Sequence, residues 1–466
     1  MQHAYSQAAD DLTLVSLPYL PDSEGYARAL AALPNLVWLD SGRDRRFKEG
    51  RYDIISAKPA TLLTTIGQTT QIQSKSGATT SDANPFDLVA EALADLPANG
   101  ANDLPFAGGA MGYFGYHLNT HLENLPPRPP ATTGMPDMVV GIYHWGLVQD
   151  HLGQKTVAVF LPSMPQSERD SILALLSAAP TNESGSNLFR INKLKAKYNL
   201  NYYQQKLARI HQYLLAGDIY QVNFAQSFHA EFEGQALDGF CHLRQALPAP
   251  YGAFVQCDKG AVLSHSPELF LQIDNNRVLT QPIKGTRPRG DTATEDQRLI
   301  TDLLNSAKDK AENLMIVDLL RNDLGRHCQP GSIRVPDLFQ LRSFANVHHL
   351  VSSVVGHLQP GSHPIDLLKA CFPGGSITGA PKIRAMEIIH ELEEVERSAY
   401  CGSIGYIGAD GRMSLNIAIR TLVASGGQIF AWAGGGIVAD SDPEAEYQEC
   451  LDKIGILLRS LENAEN

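Results

Sequence analysis

Several things are scarce in this chain of 466 residues, and each shortage excludes something. There are six cysteines, at 241, 257, 328, 371, 401 and 450, and no two form a C-x-x-C pair. That leaves reduced, buried thiols and excludes a disulfide framework or a zinc ribbon. No apolar run approaches the roughly 18 residues that a membrane helix needs. The N-terminal MQHAYSQAADDLTLVSLPYL has no basic segment leading into an apolar one. No secretory leader is expected, and a cytoplasmic protein is. Cations are in deficit: 38 Lys and Arg against 50 Asp and Glu give a net charge of −12. That speaks against a nucleic-acid partner, whose phosphates call for clustered Lys and Arg. A small anionic ligand, needing only a few local cations or amides, stays open. There is no G-x-S-x-G elbow, no recognisable Cys–His nucleophile and no repeat of fixed period.

What is present suits a large folded enzyme. Hydrophobic residues make up 43% and charged residues 19%, enough for an extensive core. The length suggests two or three domains, or one unusually large one. Composition divides the chain into residues 1–178, a linker at 179–194 around APTNESGSN, and 195–460, the two parts packing as one unit. In the second part YYQQKLARIHQYLLAG reads as a helix ended by Gly217, and DIYQVNFAQSFHAEF as a strand. AVLSHSPELFLQI and RVLTQPIKGT read as neighbouring strands of a hairpin through DNN. SAKDKAENLMIVDLLRNDLG reads as a helix; so does GAPKIRAMEIIHELEEV, with Pro381 in its first turn, and SDPEAEYQECLDKIGILLRSLE, capped by Asp442 with Pro443 first. CGSIGYIG, MSLNIAIRTLVA and IFAWAGGGIVADS read as antiparallel strands. Adjacent strands with helices inserted predict an α+β fold.

Five features draw attention. Lys284 stands between a strand and a glycine in TQPIKGTRPRG, where a lysine is either a surface charge or a reagent. FPGGSITGAPK opens a helix with glycines, so it is either an anion cradle or a structural turn. It is no Walker A loop, because Ala380 follows Gly379 where that motif has lysine. Gly434, Gly435 and Gly436 either admit a ligand to the backbone or form a bulge. Asp309 and Glu312 share one helix face, as do Glu446 and Glu449. They either complement helix dipoles or, if the two faces oppose, hold a hard cation. Glu268 is either a solvent-edge glutamate or, in apolar surroundings, an acid with a raised pKa. His348 and His349 read as core histidines, Arg420 needs an anionic partner if it faces inward, and HELEEVER reads as a solvated helix face.

Taken in order, GDIYQVNFAQ, SPELF, PIKGTRPRG, AENLMIVDLLRNDLGR, HHLVSSVVG, PGGSITGAPKIRAMEII, CGSIGYIG, LNIAIRT and AGGGIVADSDPEAEYQE resemble the signatures of the chorismate-utilising enzyme family across about residues 195–455. WLDSGRDRRFKEGRYDIISAKP is similar to the N-terminal region of its amino-transferring branch. The resemblance implies a large cradle of antiparallel sheets flanked by helices, with the active site between the sheets. It implies Mg²⁺ held by Glu312 and Glu449, with Glu446 and Asp309 assisting. Substrate carboxylates would meet Arg420, Tyr400, Lys382 and the amides around Ser376, Gly434 and Gly436, with Gly285 and His349 lining the ring site. Glu268 would be the general acid. Gln221 stands where the water-adding branch carries a lysine, which disfavours water as nucleophile.

Anthranilate-forming members typically read PIAGT where this chain reads PIKGT, and the lysine marks the branch that makes 4-amino-4-deoxychorismate. The implied role of Lys284 is covalent attack on the ring. An ordinary lysine, with a pKa of about 10.4, is neutral in roughly one molecule in 2,500 at pH 7. Burial and nearby Arg287 or Arg289 are expected to lower its pKa, and Glu268 must be protonated when it attacks. Ammonia is expected from a separate glutamine amidotransferase subunit. The branch also implies an N-terminal pocket for L-tryptophan, lined by Ser41, Glu49, Gly50, Arg51, Tyr52, Pro250, Tyr251 and Gly252.

Overall fold

Strand runs that look continuous in the sequence are cut in the fold, and the cuts make the site. The structure, a computed structural model, describes residues 12–42, 48–97, 103–179, 189–344 and 347–462. Most of the expected linker, at 180–188, lies outside the described residues.

Two large antiparallel sheets are flanked by helices, as the α+β reading expected. One sheet runs in the order Thr13–Leu17, Lys155–Phe160, Trp145–Asp150, Tyr52–Ser56, Val37–Asp40, Tyr251–Cys257, Gly260–Ser266, Thr421–Ser425, Gln428–Ile437, Gln221–Glu233. The other runs Ile283–Pro288, Val347–His357, Arg277–Gln281, Leu269–Asp274, Met413–Asn416, Ser403–Gly408, Gly109–Phe114, Met138–Tyr143, Thr61–Ile66, Thr69–Ser74, Gly77–Ser81. Both sheets therefore contain strands from both parts of the chain. The joins are Val37–Asp40 against Tyr251–Cys257 and Ser403–Gly408 against Gly109–Phe114. One apolar core runs from Val15 to Leu461.

Three strand-like runs change sheets partway. MVVGIYHWGLV divides at His144, AVLSHSPELFLQI at Pro267–Glu268, and MSLNIAIRTLVA at Ile417–Arg420. Proline cannot donate to a ladder, which explains the break at Pro267. The hairpin survives in shorter form, Leu269–Asp274 against Arg277–Gln281, with Asn275 and Asn276 at positive φ in its turn.

The helices follow their end signals. Leu200–Ala216 starts at Asn199, whose side chain accepts from the Tyr202 N–H, and ends at Gly217 with φ +78°. Its face of Tyr203, Leu207 and Ile210 is buried, each aliphatic side chain contributing about 1.5–3 kcal/mol; Leu207→Asp would break that face. Ala307–Gly325 is capped by Ser306 and packs on Ile283–Pro288 and Val347–His357. Pro443–Glu462 begins after Asp442, which accepts from the Ala445 N–H, and packs on Gln428–Ile437. The helix Lys382–Leu392 is shorter than expected, and Pro381 is its cap. The chain turns extended at Glu393, and Glu393, Glu396 and Arg397 are buried. The reading of HELEEVER as a solvated face is therefore wrong. Its period was helical, but its second half is not on the helix.

Candidate active site

Two of the sheet-switching segments lie side by side. The Ile417 N–H donates to the Glu268 carbonyl oxygen at 3.1 Å, and the His265 N–H to that of Arg420 at 3.0 Å. The crossings thus carry Glu268 and Arg420 on adjacent segments. Arg420 adopts φ +50°, a left-handed conformation costly for a non-glycine residue and typical of functional positions. Its guanidinium has no carboxylate partner among the described residues, and burial alone lowers its pKa. A sunken cation without a counter-charge is set for an anion.

Lys284 reaches the same region by a different device. Pro282 ends one strand, and the ladder to Val347–His357 slips between Ile283 and Thr286, with Gly285 at φ +85°. Such a bulge re-aims the side chain it carries. Lys284 Nζ donates to the Ser376 carbonyl oxygen at 3.2 Å. Burial lowers its pKa; Glu312 and Glu268 oppose the shift and Lys453 assists it. Glu268 is 4% exposed. Burial pushes its carboxyl up to about 7, against the pull of the Ser376 side chain and Lys284. One of these groups is thus shifted toward the neutral amine and the other toward the neutral acid.

The two arginines do not do what was expected of them. Arg287 is paired with Asp302 at 2.6 Å and Asp309 at 3.3 Å, and Arg289 with Asp296 at 2.8 Å. The cation that acts on Lys284 is Lys453, four residues beyond Glu449 on the same helix face. That spacing was readable in the sequence but went unused.

The acids converge from the two helices. Burial raises the pKa of Glu312, with Asp309 and Glu446 adding to it. Burial also raises Glu446, and Glu449 adds to that. Burial would raise Glu449 too, but Lys453 at 2.7 Å more than offsets it. Crowded carboxylates of this kind are the donor set of a hard divalent cation. Among the described residues, no three of His, Cys, Asp or Glu stand close enough to hold an ion as they are. Asp309 is taken up in part by Arg287.

Gly434 and Gly436 stand opposite Ala225 and Asn223. A Cβ at 434 would strike the Phe224 carbonyl, and one at 436 the Gln221 side chain. Gln221 Oε1 is buried without a hydrogen-bond partner, as is His349 Nε2. His349 Nδ1 lies 2.9 Å from the Thr286 hydroxyl, and burial with Arg420 brings its pKa down to about 3. Tyr400 is stacked on Trp432, with ring centroids 6.0 Å apart, two residues from Gly434. Lys382 is not brought to this cluster. Its ammonium is bonded to Asp323 at 2.6 Å and to the Cys371 carbonyl at 2.9 Å, so its charge is already met.

Away from this cluster, a cavity of about 520 Å³ is lined by Ser41, Gly50, Arg51, Tyr52, Pro250, Tyr251 and Gly252. The Glu49 side chain lies outside the described residues. Asp40, Tyr406 and Asn416 also line it. The first was readable beside Ser41, but the other two are brought there only by the sheet joins.

The model of the family described as chorismate binding enzyme matches residues 37–459. The chain is 46% identical over 453 residues to aminodeoxychorismate synthase component 1 of Klebsiella aerogenes, covering 97% of this chain and 99% of that one. It is 45% identical over 449 residues to the protein of the same description from Escherichia coli (strain K12), covering 94% and 96%. The crystal structure of anthranilate synthase component I from Streptococcus pneumoniae TIGR4 superposes with a TM-score of 0.79 at 32% identity, over 87% of this chain and 92% of that one. With its motifs in order, its two sheets and this match over nearly its whole length, the chain belongs to the chorismate binding enzyme family.

Proposed function

We propose that this chain makes 4-amino-4-deoxychorismate from chorismate and ammonia, as the synthase component for 4-aminobenzoate and hence folate formation. The observation that carries the reading is the pairing of Lys284, with a lowered pKa, and Glu268, raised to about 7, in one buried cluster. The relatives described as aminodeoxychorismate synthase component 1 support it.

The steps balance as follows. Neutral Lys284 attacks C2 of the ring; the two double bonds shift, and the C4 hydroxyl leaves as water with the proton of Glu268. Ammonia then attacks C4, the double bonds shift back, and Lys284 leaves as the free amine. The new ammonium returns a proton to Glu268. Direct attack of ammonia at C2 would instead lead towards anthranilate, so Lys284 sets the position of the new nitrogen. Arg420, Tyr400 and the amides around Ser376, Gly434 and Gly436 hold the substrate carboxylates. Glu312, Glu446 and Glu449, with Asp309, would hold Mg²⁺, which when bound neutralises substrate carboxylate charge. A glutamine amidotransferase subunit supplies ammonia, and the 520 Å³ cavity takes L-tryptophan. No described helix is long and apolar enough to cross a membrane, which accords with a cytoplasmic enzyme.

The test is a product assay. Protein, chorismate, Mg²⁺ and ammonium, followed by the 4-aminobenzoate-forming lyase, should yield 4-aminobenzoate. Anthranilate fluorescence without it would overturn the reading in favour of an anthranilate synthase with an atypical lysine. Without ammonia, mass spectrometry should find an adduct on Lys284. Lys284→Ala should abolish both adduct and product and release some anthranilate.

A further inference from the structure

The run read as a solvated face holds a fully buried ion pair. Arg397 Nε and Nη2 donate to the two Glu393 oxygens at 2.8 and 2.6 Å. The rest of the guanidinium is spent on backbone: Nη1 donates to the Ile377 carbonyl at 3.0 Å, and Nη2 to that of Asn223 at 2.7 Å. Glu393 in turn accepts from the Ala225 N–H at 2.9 Å. The Asn223 N–H donates to the Thr378 carbonyl at 2.8 Å.

These partners have one thing in common. Ile377 follows Ser376, whose carbonyl holds Lys284. Asn223 and Ala225 are the residues opposite Gly436 and Gly434. Every backbone group the pair touches therefore belongs either to the loop behind Lys284 or to the strand behind the glycines. We propose that the Glu393–Arg397 pair is a positioning clamp that sets the separation of the Ser376 loop from the Gln221–Glu233 strand, and through it the placement of Lys284 against bound substrate. This rests on the reading above. Arginine suits the task because its rigid fork serves a carboxylate and two carbonyls at once, which a lysine's single ammonium cannot do from one position.

Two variants test it. Arg397→Lys keeps the charge beside Glu393 but not the fork. Glu393→Leu with Arg397→Met replaces the pair by apolar groups, an exchange that is often neutral for stability. Here both leave backbone groups that the pair now serves without a partner, so both should melt below wild type, and activity is read at a temperature where each is fully folded. Both should lose kcat about 10- to 100-fold, the scale of a small misplacement of reacting groups, with KM changed far less. Amide hydrogen exchange should quicken at 377–379 and 223–225 and nowhere else. The proposal falls if a folded variant keeps kcat within about twofold of wild type, or if activity is lost only in step with global melting. If wild-type protein forms no product from chorismate, the functional reading fails instead, and the exchange experiment still decides on the clamp.

Discussion

Two of the clusters of buried charge among the described residues are built on opposite rules. Where the two parts of the chain join, Arg244 bonds Asp40 at 2.7 Å and Asp22 at 2.6 Å, and lies 4.6 Å over the Trp38 ring. Asp53 beside it accepts from Ser23, Ser41 and His151. Burial would raise the Asp53 carboxyl, but His151 and Arg244 hold it well below the usual range. Each charge there is met by its opposite. In the other cluster Arg420 has no carboxylate, and Glu268 and Lys284 are both pushed toward neutrality. The first arrangement serves the fold. The second, on the function proposed above, holds unmet charge and neutral acid in reserve for a ligand and a reaction, at a cost in stability.

Glu268→Gln should separate the two rules most sharply. Loss of the acid should cut turnover about 10²- to 10⁴-fold. Stability should move the other way. The folded pKa of about 7 lies above the ordinary 4.5, so the proton on Glu268 favours the folded state below pH 4.5. That contribution is lost as pH rises through 7. Unfolding by urea should show wild type losing on the order of 3 kcal/mol between pH 4 and 8 from this group, and the Gln variant losing none of it. A variant no more stable than wild type at pH 8 would show that Glu268 is not held under strain.

Arg244→Met probes the paired cluster. It takes the guanidinium away from Asp40, which is buried, and from Asp22, and should cost about 3–5 kcal/mol in urea unfolding, with kcat little changed in the folded protein. A loss under about 1 kcal/mol would erase the contrast. Arg420→Met is its mirror. It strands no partner, so stability should hold or rise. The kcat/KM for chorismate should fall about 10- to 200-fold, the equivalent of 1.5–3 kcal/mol of charged hydrogen bonding. Equal destabilisation by the two substitutions would mean that Arg420 has a partner in the folded protein after all.

Elements with strong local signals were legible in the sequence: the helix stopped by Gly217, the helix capped by Asp442, the Asn275–Asn276 hairpin turn. Motif order singled out Lys284, Glu268 and Arg420; the structure couples the first two and carries the third on the segment beside Glu268. What could not be read was where strands change sheets. LNIAIRT alternates without interruption, yet it divides before Arg420, because the division is imposed by pairing with distant residues, Asn416 with Leu269 and Thr421 with Ser264. Periodicity reports which residues are apolar, not which sheet they join. The same limit hid the buried end of HELEEVER and the pairing of Lys382 with Asp323, since an ion pair across 59 residues leaves no local trace.

His265 sits on the seam between the two clusters and offers the smallest but most local test. Its ring stacks on Phe240 at 4.8 Å; Phe240 packs on Trp38 at 5.2 Å, and Trp38 carries Arg244. Its backbone N–H donates to Arg420. Burial, with Arg244 and Arg420 on either side, brings its pKa down to about 3. A histidine lowered in the folded state stabilises above its unfolded value of about 6.5, and that stability drains as pH falls below it. At pH 5.5 the loss from this one group should be about 1 kcal/mol. His265→Gln should flatten the acid limb of the stability curve by that amount. It should do so whether Arg244 or Arg420 supplies more of the repulsion, and adding Arg420→Met to wild type tells which. If that substitution flattens the limb as well, the unpaired cluster reaches across the seam; if it does not, burial and the paired cluster alone keep His265 neutral.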